Sequence, residues 1–106
     1  MKTVSLILTT YNSEKNLEKT LKSIEKQDYP SIEVLIKDGG STDGTLHMID
    51  VYSKVSKYVV KWCTGTDNGI YDAMNQGYAM AAGNIIVFIN DLFQETTVVS
   101  KMVQLI

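Results

Sequence analysis

The stretch IEVLIKDGGSTDGT, residues 32–45, joins an apolar run to a loop of glycines, hydroxyls and acids. The run has the length of a β-strand and stops abruptly at Asp38. Because its apolar residues follow one another without strict alternation, we expect a strand buried on both faces, as in a parallel sheet covered by helices. The loop after Asp38 has two interpretations, a turn with a helix cap or a ligand site.

Three other segments carry the same kind of apolar run, at residues 4–9, 58–62 and 85–89. Amphipathic segments separate the four runs, so the predicted order is β-α-β-α-β-α-β. Alternation of this kind predicts a doubly wound α/β domain with a mainly parallel sheet of four strands. Helical spacing resumes after the fourth run, which predicts a further helix near the end of the chain.

The apolar stripes predict which helix faces enter the core. In the first helical segment, Leu17, Leu21 and Ile24 recur at helical spacing with charges opposite them. In the second segment, the stripe includes Tyr52 and Val55.

Bulk composition narrows the class of protein. The chain of 106 residues is long enough for one small domain. Its formal net charge is −2 and its lysines are scattered, so we do not expect it to bind nucleic acid. No segment approaches the ~20 apolar residues of a membrane span. We expect a cytoplasmic protein, with peripheral association at the inner face of a membrane as the alternative.

Polar residues follow each predicted strand. In open α/β sheets, ligands bind outside the carboxyl ends of the strands, so these exits are the expected site. A dinucleotide fold needs glycines directly after the first strand, and a phosphate-binding loop of the Walker type needs Gly-Lys-Ser/Thr. Neither pattern is present. The exits are residues 9–12, 38–41, 64–69 and 90–91.

The residue types at these exits suit a nucleotide and a cation. Tyr11 can stack on a base, and Asp38 can accept a hydrogen bond from a base N–H. An acid after the fourth strand can bind a divalent cation through oxygen, as Mg²⁺ and Mn²⁺ prefer. Ser41, Thr42 and Asp43 are expected to cap the following helix rather than to bind a ligand.

Two long segments carry a resemblance to a known family. They are VSLILTTYNSEKNLEKTLKSIEKQDYPSIEVLIKDGGSTDGT, residues 4–45, and GTDNGIYDAMNQGYAMAAGNIIVFIN, residues 65–90. Together they resemble the N-terminal part of family 2 glycosyltransferases of the GT-A fold. The resemblance implies a single domain over residues 1–106 that binds a nucleotide-diphospho-sugar donor and forms the N-terminal part of a longer one.

The resemblance also implies an activity and a set of site residues. The family transfers a sugar, usually with inversion, to a saccharide or lipid-linked acceptor hydroxyl in polysaccharide or glycoconjugate synthesis. The implied cofactor is Mg²⁺ or Mn²⁺, with Asp91 as its ligand. The implied donor-binding residues are Thr10, Tyr11, Asn12, Asp38, Gly40, Asp67 and Asn90.

The sequence departs from the family after the fourth strand. The family reads Asn-Ser-Asp-Asp or Asn-Ala-Asp-Asp there, whereas this chain has Asn90, Asp91, Leu92 and Phe93. One acid is a poor cage for a cation that takes several oxygen ligands. The family's catalytic base and acceptor site lie beyond Ile106, so no catalytic residue is assigned.

Two classes of function follow from these observations. One is a glycosyltransferase represented by its donor-binding part, which would not transfer sugar alone. The other is a non-catalytic domain that keeps the fold and nucleotide binding. We also expect exposed apolar surface around Phe93, Val98 and Met102, and therefore self-association.

Overall fold

The computed structural model describes residues 1–66, 68–89 and 95–105. Within them, strands and helices alternate, as the apolar runs predicted. The elements are β1 (Val4–Thr10), α1 (Leu17–Glu25), β2 (Ile32–Asp38), α2 (Thr45–Val55), β3 (Val59–Thr64), α3 (Ile70–Ala79), β4 (Ile85–Ile89) and α4 (Val98–Gln104).

The strands form one parallel sheet in the order β3-β2-β1-β4. The chain moves outward from β1 through β2 to β3 and then crosses to the other side of β1, so the strand order reverses beside β1. The pairing register places Thr10 beside Asp38 and Asp38 beside Thr64. The carboxyl ends of three strands therefore meet in one row, next to the switch point where α/β sheets bind ligands.

One face of the sheet packs against α1 and α2. The predicted stripe of α1 is confirmed, because Leu17, Leu21 and Ile24 are buried in a common core with the sheet. The predicted stripe of α2 is correct for Tyr52 but not for Val55, which is 73% exposed at the end of the helix.

The expectation that all four strands are buried on both faces is wrong for β3 and β4. The central strands β1 and β2 are buried almost throughout. In contrast, Val59 of β3 is 61% exposed and Phe88 of β4 is 46% exposed. Both strands lie at the edges of the described sheet, so each has a strand neighbour on one side.

Helix α3 covers the opposite face of the sheet through a close approach at Gly77. A Cβ atom at this position would lie 2.4 Å from Cγ2 of Ile7 on β1. Ile7 is buried in a central strand, and its branched side chain is stiff about χ1. Glycine at position 77 is therefore what allows the helix to lie this close to the strand.

Helix α4 is attached to the domain through the buried side chain of Gln27. Its amide oxygen accepts a hydrogen bond from Val99 N at 3.1 Å, and its amide nitrogen donates to Glu95 O at 2.7 Å. Val98 and Met102 are half-buried, and Phe93 lies outside the described residues. Self-association through this region stays a prediction.

None of the helices in the described part of the chain combines the length and the apolar character that a membrane span requires. The cytoplasmic location and the alternative at a membrane face stay predictions.

We predict that Gly77→Ala lowers the free energy of unfolding by about 1–3 kcal/mol, because the added methyl overpacks Ile7. The control is Asn75→Ala at an exposed position of the same helix, which should stabilise the protein by about 0.5 kcal/mol through helix propensity. Urea unfolding of both variants measures the difference. Equal stability changes at the two positions would contradict the close approach of α3.

Candidate functional site

The carboxylate of Asp38 lies at the centre of the row formed by the three strand ends. The side chain has no exposed surface. From β1, the Thr10 hydroxyl donates to Oδ1 of Asp38 at 2.7 Å, and from β3, the Thr64 hydroxyl donates to Oδ2 at 2.8 Å. One carboxylate on the middle strand thus joins the ends of both neighbouring strands.

The loop after β2 supplies the other donors. Gly40 N and Ser41 N donate to Oδ2 of Asp38 at 3.0 and 2.7 Å, and the Ser41 hydroxyl donates to Oδ1 at 2.6 Å. Two carboxylate oxygens offer about four lone-pair sites, so these donors saturate them. We call Asp38 with its partners Thr10, Gly40, Ser41 and Thr64 the Asp38 junction.

Hydrogen bonds also decide the charge state of Asp38. Burial alone would raise its pKa by disfavouring the ionised form. The bonds from Ser41, Thr10 and Thr64 outweigh burial and hold the pKa of Asp38 below its ordinary value. The junction is therefore built around an ionised carboxylate at neutral pH.

Lys37 fixes the same strand ends from the opposite face of the sheet. Its side chain is 2% exposed, and its ammonium donates to Asp38 O at 2.6 Å and to Gly65 O at 2.7 Å. A buried ammonium requires such acceptors, because leaving it without them costs several kcal/mol. Gly65 N also donates to Asp38 O, so the ends of β2 and β3 are joined through main chain and side chain.

The loops after β1 and β2 bond directly to each other. Asn12, which has a positive φ of 45°, donates its N–H to the Ser41 hydroxyl at 2.8 Å. The Asn12 amide oxygen accepts from Thr42 N at 2.8 Å. Asp43 accepts from Thr45 N in the first turn of α2, so of the three predicted capping residues it alone bonds to that turn.

A cleft of about 580 Å³ opens at this edge of the sheet. Tyr11 forms part of its wall and is 63% exposed. Gly39 N donates to Thr10 O at 2.9 Å, which holds the exits of β1 and β2 together beside the cleft. The lining residues are Thr9, Thr10, Tyr11, Gly39, Thr66, Gly69 and Ala73.

The first turn of α3 borders the same cleft through Gly69 and Ala73. Gly69 has a φ of 108°, a conformation that favours glycine, and this residue is the N-cap immediately before the helix. The N-terminal end of a helix attracts anions through the helix dipole, and phosphate groups commonly bind there. The cleft therefore has an aromatic ring on one side and a helix N-terminus on another.

The structure places only some of the predicted site residues in the wall of the cleft. Thr10 and Tyr11 come together in the cleft wall, whereas Asn12, Asp38 and Gly40 bond within the loops behind it and are not in the lining. Three predicted site residues lie outside the described residues, namely Asp67, Asn90 and Asp91. The lining residues Thr9, Gly39, Thr66 and Gly69 fall within the predicted strand exits but were not chosen as donor-binding residues, and Ala73 lies outside those exits.

Two of these lining residues could have been recognised from their positions in the sequence. Gly39 directly follows a predicted strand end, and Gly69 immediately precedes a helical pattern. Both are positions where main chain rather than a side chain faces a ligand site.

Among the described residues, no three side chains of His, Cys, Asp or Glu lie close enough together to hold a metal ion. The predicted ligand Asp91 is outside those residues, so the metal site stays a prediction.

A larger groove of about 680 Å³ lies between α1 and α2. Its walls include Leu21, Met48 and Val51, with carboxylates such as Glu14 and Glu18 at its rim. The lining of this groove includes no residue of a strand or of the loop after β2, whereas Thr9, Thr10 and Gly39 at the strand ends line the cleft. The cleft at the strand ends is therefore the candidate functional site.

Comparison with known proteins agrees with this geometry. The model of the family described as glycosyl transferase family 2 matches residues 5–106. The chain belongs to this family. It is 36% identical over 105 residues to the uncharacterized glycosyltransferase Rv1514c of Mycobacterium tuberculosis, a match that covers 96% of this chain and 39% of that relative.

Solved glycosyltransferases share the fold. Staphylococcus aureus TarS 1-349 in complex with UDP-GlcNAc is 33% identical with a TM-score of 0.77, over 83% of this chain and 26% of that one. The mannosyltransferase PcManGT of Pyrobaculum calidifontis, in complex with GDP-Man and Mn²⁺, is 27% identical with a TM-score of 0.82, over 90% and 29%. The fold is thus the GT-A-like α/β fold predicted from the sequence.

We predict that Asp38→Asn lowers the free energy of unfolding by about 2–4 kcal/mol at pH 7, because an amide NH₂ then meets groups that donate to Oδ2. The contribution of an acid with a lowered pKa is present above its ordinary pKa, about 4, and is lost as pH falls through the folded-state value. The difference between wild type and variant should therefore shrink in acid.

The control is Asp50→Asn, which removes an exposed ion pair with Lys54 on α2 and should cost less than about 0.5 kcal/mol. Urea unfolding from pH 7 down to pH 3 measures both. A difference for Asp38→Asn that grows toward acid would contradict an ionised junction.

Proposed function

We propose that the cleft binds the nucleoside diphosphate part of a sugar donor, and that the chain supplies the donor-binding part of a glycosyltransferase. The observation that carries the proposal is the pairing of an exposed aromatic, Tyr11, with the N-terminus of α3 across one cleft at the switch point of a parallel sheet.

Each part of a nucleoside diphosphate has a matching surface. The cleft volume of about 580 Å³ is within the range of small-molecule sites. Stacking of a base on an aromatic ring contributes about 1–3 kcal/mol and tolerates different bases. The N-terminus of α3, which follows Gly69, is the end of the helix dipole that favours a phosphate.

The family relatives support the donor class without fixing the base. TarS binds UDP-GlcNAc and PcManGT binds GDP-Man, so both uridine and guanosine donors occur among structural neighbours of this chain. A direct bond from Asp38 to the base remains our sequence-based prediction. In the described conformation, that bond would require one of the donors in the Asp38 junction to leave.

The proposed reaction joins an acceptor hydroxyl to the anomeric carbon of the donor sugar while the bond to the diphosphate breaks. The acceptor is a saccharide or a lipid-linked molecule in polysaccharide or glycoconjugate synthesis. Inversion requires a general base on the acceptor side, which we assign to a part of the protein other than this chain. In this chain, Thr10, Tyr11 and Gly39 hold and orient the donor.

A bound Mg²⁺ or Mn²⁺ would neutralise the diphosphate as it departs. Asp91 is our candidate ligand, and PcManGT was solved with Mn²⁺. Asn90 and Asp67 are proposed to lie near the donor.

The missing paired acids favour a second function, a nucleotide-binding domain without transfer activity. The run Asn90-Asp91-Leu92-Phe93 offers one carboxylate where the family pattern offers two. Sugar transfer by a longer form of the protein, lost on Asp91→Asn, would exclude this second function.

We predict that Tyr11→Ala weakens binding of UDP and GDP by about 1–3 kcal/mol, because the stacking surface is lost. Tyr11→Phe keeps the ring and should bind within about threefold of wild type. Isothermal titration calorimetry, with and without Mn²⁺, measures both nucleotides.

The control variant is Tyr78→Ala. Tyr78 is also an exposed tyrosine, but it lies on α3 and does not line the cleft. It should leave affinity unchanged. Equal affinity for Tyr11→Ala and wild type, or no binding of either nucleotide by wild type, would overturn the proposed function.

A further inference from the structure

Thr64 does not line the cleft, yet its hydroxyl donates to the carboxylate that joins the cleft's two supporting loops. It lies at the end of β3, an edge strand of the described sheet. The Thr64 hydroxyl therefore connects the edge of the sheet to the Asp38 junction without contacting the cleft itself.

We propose that Asp38 and Thr64 are positioning residues of the candidate site. The Asp38 carboxylate sets the positions of Tyr11 and Gly39, and the Thr64 hydroxyl fixes that carboxylate from the edge strand. This inference rests on the proposed nucleotide-binding function and specifies which residues organise the cleft.

The route from Asp38 to the cleft consists of short, local connections. On β1, the bonded residue Thr10 immediately precedes Tyr11 and itself lines the cleft. On β2, the bonds to Gly40 N and Ser41 N fix the turn that begins at Gly39. Movement of the carboxylate would therefore shift both walls together.

Thr64 can be altered without separating the strands that carry the site. The β2 and β3 exits remain joined by Gly65 N to Asp38 O and by the Lys37 ammonium to Asp38 O and Gly65 O. Loss of the Thr64 hydroxyl removes the bond to Oδ2 of Asp38 and leaves these main-chain links in place. A valine at this position keeps the shape and the strand preference of threonine.

Because donors saturate the Asp38 carboxylate, the role of this carboxylate decides whether loss of the Thr64 bond weakens or strengthens nucleotide binding. If the carboxylate positions the loops, removal of the Thr64 bond loosens the junction and weakens binding. If the carboxylate instead bonds the base, removal of the same bond leaves Oδ2 with two donors instead of three, which favours approach of a base N–H, and binding stays equal or strengthens. The two roles thus predict opposite effects of one substitution.

The test compares Thr64→Val, which loses the hydroxyl, with Thr64→Ser, which keeps it. We expect Thr64→Val to weaken UDP and GDP binding alike, by about fivefold to tenfold, and Thr64→Ser to bind within about twofold of wild type. Titrations are run at a temperature where unfolding curves show each variant fully folded. Unchanged or tighter binding by Thr64→Val, or a loss confined to one base, would overturn the inference.

A measurement without ligand separates this inference from the proposed function. Hydrogen exchange at the Gly40 and Ser41 amides should become at least about tenfold faster in Thr64→Val and not in Thr64→Ser. Unchanged exchange in Thr64→Val overturns the positioning role even if nucleotides bind. If wild type binds neither UDP nor GDP, the proposed function fails, and positioning of a nucleotide site fails with it whatever the exchange rates show.

Discussion

The buried carboxylate of Asp38 is the constraint on which the functional edge of this sheet depends. An ionised carboxylate without exposed surface is tolerated only when donors replace the water that it has lost. Here the donors come from the ends of three neighbouring strands, and the pairing register brings Thr10 and Thr64 to either side of it. The charge therefore organises the loops, because the strand ends and the loop after β2 supply the donors that replace its water.

Most of the fold could be predicted because its signals are local. Runs of strand length separated by amphipathic segments predict alternation, and alternation predicts a parallel sheet. Exposure of the outer strands was not predictable in this way. The run at residues 58–62 is as apolar as a central strand, yet strand order, which depends on contacts between distant parts of the chain, places β3 at an edge.

The candidate site was predictable in position but not in its internal bonds. Strand exits could be read from the sequence, so Thr10 and Tyr11 were expected at one edge and lie in the cleft wall. The hydrogen-bond partners of Asp38 could not be predicted from the sequence. Thr10 and Thr64 are 28 and 26 residues away from Asp38 in the chain and meet it only through the pairing register of the strands. An acid followed by glycines looks the same in sequence whether it faces a ligand or its own loop.

Hydrogen bonding among the polar groups at the strand ends limits how the cleft can distinguish one nucleotide base from another. Because the side chains of Asn12, Asp38 and Ser41 bond within the loops themselves, the surface left for a ligand consists mainly of Tyr11, threonines and glycines. Stacking and main-chain contacts accept many bases, whereas strong discrimination needs a side chain that is left unpaired by the wrong ligand. Under the proposed function, these surfaces hold the donor, and choice among donors falls to side chains that the Asp38 junction does not already engage.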